Sequence, residues 1–446
     1  MERMDTSEED GFQERSKVFV NWLKENGASI SAKIKLDDLR LQNAGRGVVA
    51  VQDLNEDEEL FSIPRSIILT TETSSNGEAA LKEVDDPWLS LIVVMVLEYL
   101  DGPQSRWQPY FDVLPESFDS LMFWSDAELQ CLEGSTVVDK IGKEGADAVF
   151  SEQLIPVIGK INKNISLSNE DLLRLCHRMG STIMAYAFDL EKSSDQAKSD
   201  EEEWEEDSDA GATLPKGMVP LADMLNADAD RNNAKLFYED DKVVMKTIKP
   251  VKAGEELYND FGSLPRADLL RRYGYVTNNY AQYDVVEIPA ELIKEKAGLP
   301  GKELDERWQY ADEQGAVDDG YDISRGDSED GQFPEELCVL LNLLATPKAE
   351  FDKLKKKDKL PRPDLTTEAK KLLRTILVYR YAAYPTSVDD GHVDERRREM
   401  ARAVMQGEKE ILQEAVDAIS DLSAGKKRSA NTLEDEAAAI RQPAKR

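Results

Sequence analysis

Two short β-rich stretches, residues 40–70 and 217–288, stand far apart in this chain. Neither is long enough to close a sheet on itself, and open strand edges must be paired or covered. The two stretches are therefore expected to pair with each other across whatever lies between. In the first, GRGVVAVQDLNEDEELFSIP combines β-branched alternation with an Asn-Glu-Asp turn and stops at Pro64. In the second, KLFYEDDKVVMKTI reads as a hairpin with Glu239 to Lys242 at its turn.

The intervening sequence is of a different kind. From Pro87 to Leu190 the pattern is mainly helical, with an apolar run from Trp88 to Leu97 and capping signals at Ser125-Asp126-Ala127-Glu128 and at Ser168. Residues 193–213 are acidic with little to bury, which predicts a disordered surface loop. After Pro289 helical patterns return in ELCVLLNLLA, in TEAKKLLRTILVYRYAAY and from Gly391 to Leu422. At the other end Phe19, Trp22 and Leu23 share one helical face. The expected organisation is an N-terminal helical segment over 1–35, a split β-rich domain over 36–288 with a helical insertion at 87–192, a helical domain over 289–422, and a disordered basic tail over 423–446. No repeat period emerges, which argues against a helical-repeat adaptor.

Charge narrows the partners. The formal net charge is −33, a field that opposes phosphate backbones and favours basic proteins. The apolar run at Trp88 is too short to span a bilayer. Cys131, Cys176 and Cys338 have no metal-ligand spacing, and His177 and His392 are the only histidines, so neither zinc nor triad chemistry is suggested. Lys426-Lys427-Arg428 and Lys445-Arg446 are spaced like a bipartite nuclear import signal, which predicts a nuclear protein with a cytoplasmic pool.

Three small features recur in a fixed order: Ala44-Gly45-Arg46-Gly47, then MVPLADMLNAD around Asn226, then Tyr273-Gly274-Tyr275. Each is commonplace alone, since glycine pairs mark turns and Asn caps them. As an ordered set, from about residue 15 to 420, they resemble the split-SET class of protein-lysine methyltransferases, the Rubisco large-subunit methyltransferase-like group, and within it the fungal ribosomal branch and that of SET domain-containing protein 6. The resemblance implies an α+β protein: a β-rich SET fold split by a helical insertion, followed by an all-α substrate-binding domain.

It also implies S-adenosyl-L-methionine as cofactor, held by the backbone of Ala44, Gly45, Arg46 and Gly47, by Asn226 and Ala227, and by Tyr186, Phe261 and Tyr273. Catalysis falls to Tyr273 and to the position of Phe261. Three residues depart from the family pattern. Ala227 stands for a usual His, and Tyr186 for an Arg able to pair with the cofactor carboxylate. Phe261 stands for a usual Tyr and lacks its oxygen. The implied partner is a basic protein, a ribosomal protein of the large subunit, monomethylated by a monomeric enzyme that binds neither nucleic acid nor membrane. A SET-type module that binds a basic partner without turnover is the alternative.

The chemistry needs little else. A free lysine is neutral at pH 7 in a fraction of only about 10⁻³ to 10⁻⁴, and an apolar channel recovers part of that factor by lowering its pKa. Tyr258, Phe261, Tyr273, Tyr275 and Tyr283 are the aromatic candidates for its walls.

Overall fold

The computed structural model describes residues 7–40, 45–191, 214–328, 331–386, 393–420 and 432–441. Ala44, the acidic loop at 193–213 and both basic clusters of the tail lie outside the described residues. The chain divides into two compact units: residues 1–118 with 142–262, and residues 119–141 with 263–446.

The first unit is built on strands β1 (Ser29–Ile30), β2 (Ile34–Asp38), β3 (Arg46–Ala50), β4 (Glu59–Pro64), β5 (Phe188–Asp189), β6 (Lys216–Gly217), β7 (Asn226–Ala227), β8 (Ala234–Tyr238), β9 (Lys242–Thr247) and β10 (Glu256–Asn259). They form two four-stranded sheets, ordered β1-β4-β9-β8 and β2-β3-β10-β7, with β5 and β6 paired separately. Both larger sheets join the two β-rich stretches. Phe61 faces Met245 in β4–β9, and Val49 faces Glu256 in β3–β10. The expected pairing across the insertion is thus how the fold closes its edges. The hairpin is also as anticipated, with β8 antiparallel to β9 and the Glu239 N–H bonded to the Lys242 carbonyl at 2.9 Å.

The helix Pro87–Asp101 starts at Asp86, whose carboxylate accepts the Leu89 N–H at 2.8 Å, with proline in the first turn. Its residues Leu91 to Leu97 are buried. Glu98 is buried among them because the hydroxyls of Ser74 and Ser105 each donate to its carboxylate at 2.6 Å. The N-terminal helix runs Ser7–Glu25 and buries Phe19 and Leu23. It stops short of the expected residue 35, because Gly27 turns left-handed at φ +90° and β1 follows.

The second unit is mostly helical. The Ser125–Glu128 capping box forms as read, with the Ser125 hydroxyl accepting from the Glu128 N–H and the Glu128 carboxylate accepting from the Ser125 N–H. Helices Glu335–Ala345, Thr367–Ala382 and Glu395–Ile419 supply most of its core. It is not all-α, however: β11 (Val285–Pro289) pairs antiparallel with β12 (Gly320–Ser324). The strand at 320 was illegible because its alternation amounts to Tyr321 and Ile323 buried around Asp322.

The units also cut the chain differently from the sequence boundaries. Residues 119–141, expected in the insertion, and 263–288, expected in the SET portion, both pack with the C-terminal unit. Leu121, Trp124 and Leu132 join one apolar cluster with Leu270 and Val286, and burial of large apolar side chains decides membership. Within the tail expected to be disordered, Thr432–Arg441 is helical and buries Leu433 and Ala437.

Candidate active site

In the first unit, three chain segments converge at the start of β3. Gly45 adopts φ +64°, a left-handed turn that sets β3 on its course. Asn226 lies in β7, parallel to β10 with Tyr258 as its partner in register. Its side-chain amide donates to the Arg46 carbonyl at 3.0 Å and to Glu256 Oε1 at 2.6 Å. The other oxygen of Glu256 accepts the Tyr258 hydroxyl at 2.8 Å. One asparagine side chain thus ties together backbone and carboxylate from segments 180 and 30 residues away.

Gly47 is required for that tie. A Cβ there would lie 2.6 Å from Glu256 Oε1 and 3.1 Å from Asn226 Nδ2. The bare face of Gly47 is filled by Glu256 and Asn226, whereas at Gly45 nothing lies within 4 Å of a Cβ position, so the exposed backbone of this turn, braced by Asn226, is a cradle that a ligand can approach and fits a cofactor held by main-chain groups. Asn233 braces β10 from its other side, donating to the Glu256 carbonyl at 2.9 Å and accepting the Tyr258 N–H at 2.8 Å. Burial, reinforced by Glu256, pushes the Tyr258 phenol up to about 12, so it stays protonated. The Arg231 guanidinium lies 4.9 Å from its ring centroid and pairs with buried Asp228 at 2.6 Å.

Beneath the cradle is a polar group that the sequence reading did not name. Asp223, in the turn Ala222–Met224, is 5% exposed and accepts the hydroxyl of fully buried Tyr110. Burial raises the Asp223 carboxyl to about 7, although Tyr110 and the charge of Arg46 oppose the shift. Among the described residues its Oδ1 is buried without a hydrogen-bond partner. The preceding residue but one, Leu221, holds φ +78°, a strained conformation for a branched side chain. An aspartate inside the apolar run VPLADML was the available signal; Tyr110 offered none.

Tyr186 ends the helix Asn169–Tyr186, its ring 6.4 Å from that of Phe118. Burial raises its pKa, and the charge of Arg46 acts against the rise. Ala227 lies in register with Asn259. Phe261 follows β10, half-buried, between Asp260 and Gly262. The Gly262 N–H donates to Asp260 Oδ1 at 2.7 Å, closing that turn. On the helix Asn169–Tyr186, burial pushes the Cys176 thiol up to about 12, and His177 pairs with Asp147 at 2.5 Å.

Tyr273 belongs to the second unit, at the end of the helix Arg266–Tyr273. Gly274 caps that helix at φ +76°, and a Cβ on it would meet the Ser120 nitrogen at 2.5 Å. The Tyr273 ring lies 6.3 Å from that of Tyr275, and burial raises its phenol pKa. The structure therefore brings Gly45, Arg46, Gly47, Tyr186, Asn226 and Ala227 into one unit with Phe261, and sets Tyr273 in the other.

A SET-domain family model matches residues 45–262. Ribosomal lysine N-methyltransferase 4 of Saccharomyces cerevisiae is 37% identical over 301 residues, a match covering 64% of this chain and 60% of that enzyme. N-lysine methyltransferase setd6 of Xenopus laevis is 30% identical over 363 residues, 76% of each chain. Among solved structures, the SET domain of LSMT bound to lysine and AdoHcy shares the fold at a TM-score of 0.66 and 19% identity over 91% of both chains. Rubisco LSMT bound to AdoMet matches equally well, at 0.66. By its matched domain and its similarity over most of its length to a lysine methyltransferase, this chain belongs to the SET-domain protein-lysine N-methyltransferases.

Proposed function

We propose that this protein transfers a methyl group from S-adenosyl-L-methionine to a lysine of a basic protein, adding one methyl group. The observation that carries the reading is the glycine turn of β3, tied down by Asn226 packed against Gly47 and open at Gly45, where nothing lies within 4 Å of a Cβ position. The cofactor supplies an electrophilic methyl carbon on a sulfonium. Asn226 and the Gly45–Gly47 backbone would hold it, and the aromatic rings of Tyr258, Tyr186 and Phe261 would favour its positive charge over water by about 0.5–2 kcal/mol. The lysine must arrive neutral. An apolar wall at Phe261 favours that form, since desolvation disfavours the ammonium.

A ribosomal protein is the substrate class this reading favours. The name of the yeast relative points there, and the net charge of −33 suits a lysine-rich target. A second reading, a SET fold that binds a basic partner with little turnover, is favoured by the missing hydroxyl at Phe261 alone. Loss of one preorganised donor lowers a rate by about 10²–10³-fold.

Mass spectrometry of purified basic ribosomal proteins, incubated with the protein and S-adenosyl-L-methionine, separates the readings. The expected result is a gain of one methyl group on a lysine, lost in Asn226→Ala. A gain seen only with Phe261→Tyr would establish the weakened module instead. No gain with either, alongside intact cofactor binding, would remove ribosomal proteins as the substrate class.

A further inference from the structure

The helix Ser7–Glu25 turns Phe19 and Leu23 into the core of the first unit. A second face of it carries Gln13, Lys17, Val20 and Lys24, spaced at i, i+4, i+7 and i+11, with Ser16 at the edge. Between this face and strands β1 to β3 lies a cavity of about 340 Å³, within the range of small-molecule sites. Gly45, Gly47 and Asn226 do not line it, so it is separate from the cradle. Its floor is apolar: Val20, Ile30, Ile34, Leu36, Val48 and Leu221.

Two kinds of polar group break that lining. Ser16 is 6% exposed, and its hydroxyl has no hydrogen-bond partner among the described residues. A buried hydroxyl so placed carries a desolvation cost that a ligand oxygen would remove. At the rim stand Lys17 and Lys24, both exposed and neither in an ion pair among the described residues. Lys35, also at the rim, is held by Asp37 at 2.7 Å. In a chain of net charge −33, two uncompensated cations beside an apolar hollow favour an anion with an apolar body. No arginine lines the cavity, so the forked donor that suits a phosphate is absent. A carboxylate matches one hydroxyl and point charges.

We propose that this cavity binds a small amphipathic carboxylate, a fatty acid whose chain the volume limits to medium length. Its head takes the Ser16 hydroxyl and Lys17, and its chain lies over Val20, Ile34, Val48 and Leu221. The site stands independently of the methyl-donor reading, since no residue of the cradle enters it.

Three probes test it by calorimetric titration into the full-length chain: decanoate, butyrate with the same head and a short chain, and decanamide with the same chain and no charge. Decanoate should fill one saturable site. Butyrate should bind about 100-fold or more weakly, having lost six methylenes, and decanamide about 10-fold more weakly, having lost the charged contact. Ser16→Ala and Lys17→Gln should each weaken decanoate about 10-fold. Ala32→Trp, an exposed rim position where a large ring fills the mouth, should abolish its binding while the thermal midpoint of the chain stays unchanged. A wild-type chain with no saturable decanoate site would overturn the proposal. So would affinity untouched by all three substitutions, which would place the ligand elsewhere, or equal affinity for decanoate and decanamide, which would leave the hydroxyl and the lysines no part in recognition.

Discussion

Asp223 shows how one side chain couples folding to pH. Its carboxyl titrates at about 7 in the folded chain because burial outweighs the Tyr110 hydrogen bond and the Arg46 charge. An unfolded aspartate titrates near 3.9. Between those values the native state holds a proton that the unfolded state has released, so stability falls as pH rises through the window and levels off above it. Asp223→Asn keeps an acceptor for the Tyr110 hydroxyl and cannot ionise. Relative to wild type, the variant should gain about 2–3 kcal/mol between pH 5 and pH 8, read from denaturant midpoints across that range. A constant gap would place the carboxyl in its ordinary range. Of this neighbourhood, Asn226 and the glycines were named only through the ordered set they form along the chain, since each is commonplace alone. The Asp223–Tyr110 pair was not legible, because its partners lie 113 residues apart and only closure of the fold buries both.

At the scale of elements, the second unit contains a helix whose fit depends on one missing methyl group. Arg266 and Asp284 form a buried ion pair, with Arg266 Nε 2.9 Å from Asp284 Oδ2. Gly407, inside the helix Glu395–Ile419, lets that helix pass over the pair. A Cβ there would lie 2.1 Å from Asp284 Oδ2 and 2.5 Å from an Arg266 nitrogen. In an exposed helix Gly→Ala adds about 0.5–1 kcal/mol. Here Gly407→Ala should destabilise by about 3–5 kcal/mol, the effect of disrupting a buried pair, measured by chemical unfolding. A more stable variant would show that the pair yields without loss. Nothing in ERRREMARAVMQGEKEILQEAVDAI marks that glycine as necessary, since the reason is a carboxylate 123 residues upstream. Elements with strong local signals were legible: the Ser125 capping box, the β8–β9 hairpin, and the buried stripe from Leu91 to Leu97. Two-residue strands such as β1, and β12 inside a helical unit, carry too few residues for periodicity to register.

Over the whole molecule, a net charge of −33 acts on any basic substrate before contact. Such attraction is screened within about 10 Å at 0.1 M salt. Raising salt from about 50 to about 500 mM should therefore raise KM for a lysine-rich protein several-fold. The affinity for S-adenosylhomocysteine, set by short-range contacts, should change little over the same range. Parallel loss of both would mean that salt acts on the fold rather than on encounter. Composition alone licenses this prediction, because a summed charge needs no coordinates.

That division runs through the protein. Local patterns determined which segments become strands and helices, where the helices begin, and that the two β-rich stretches must find each other, because each has edges it cannot satisfy alone. Tertiary structure decided what those stretches bring together. It set Asn226 on the Arg46 carbonyl and Glu256, buried Asp223 against the Tyr110 hydroxyl, and assigned 119–141 and 263–288 to the C-terminal unit. Burial, pKa and close approach arise between residues far apart in the chain, and they exist only once the chain has closed.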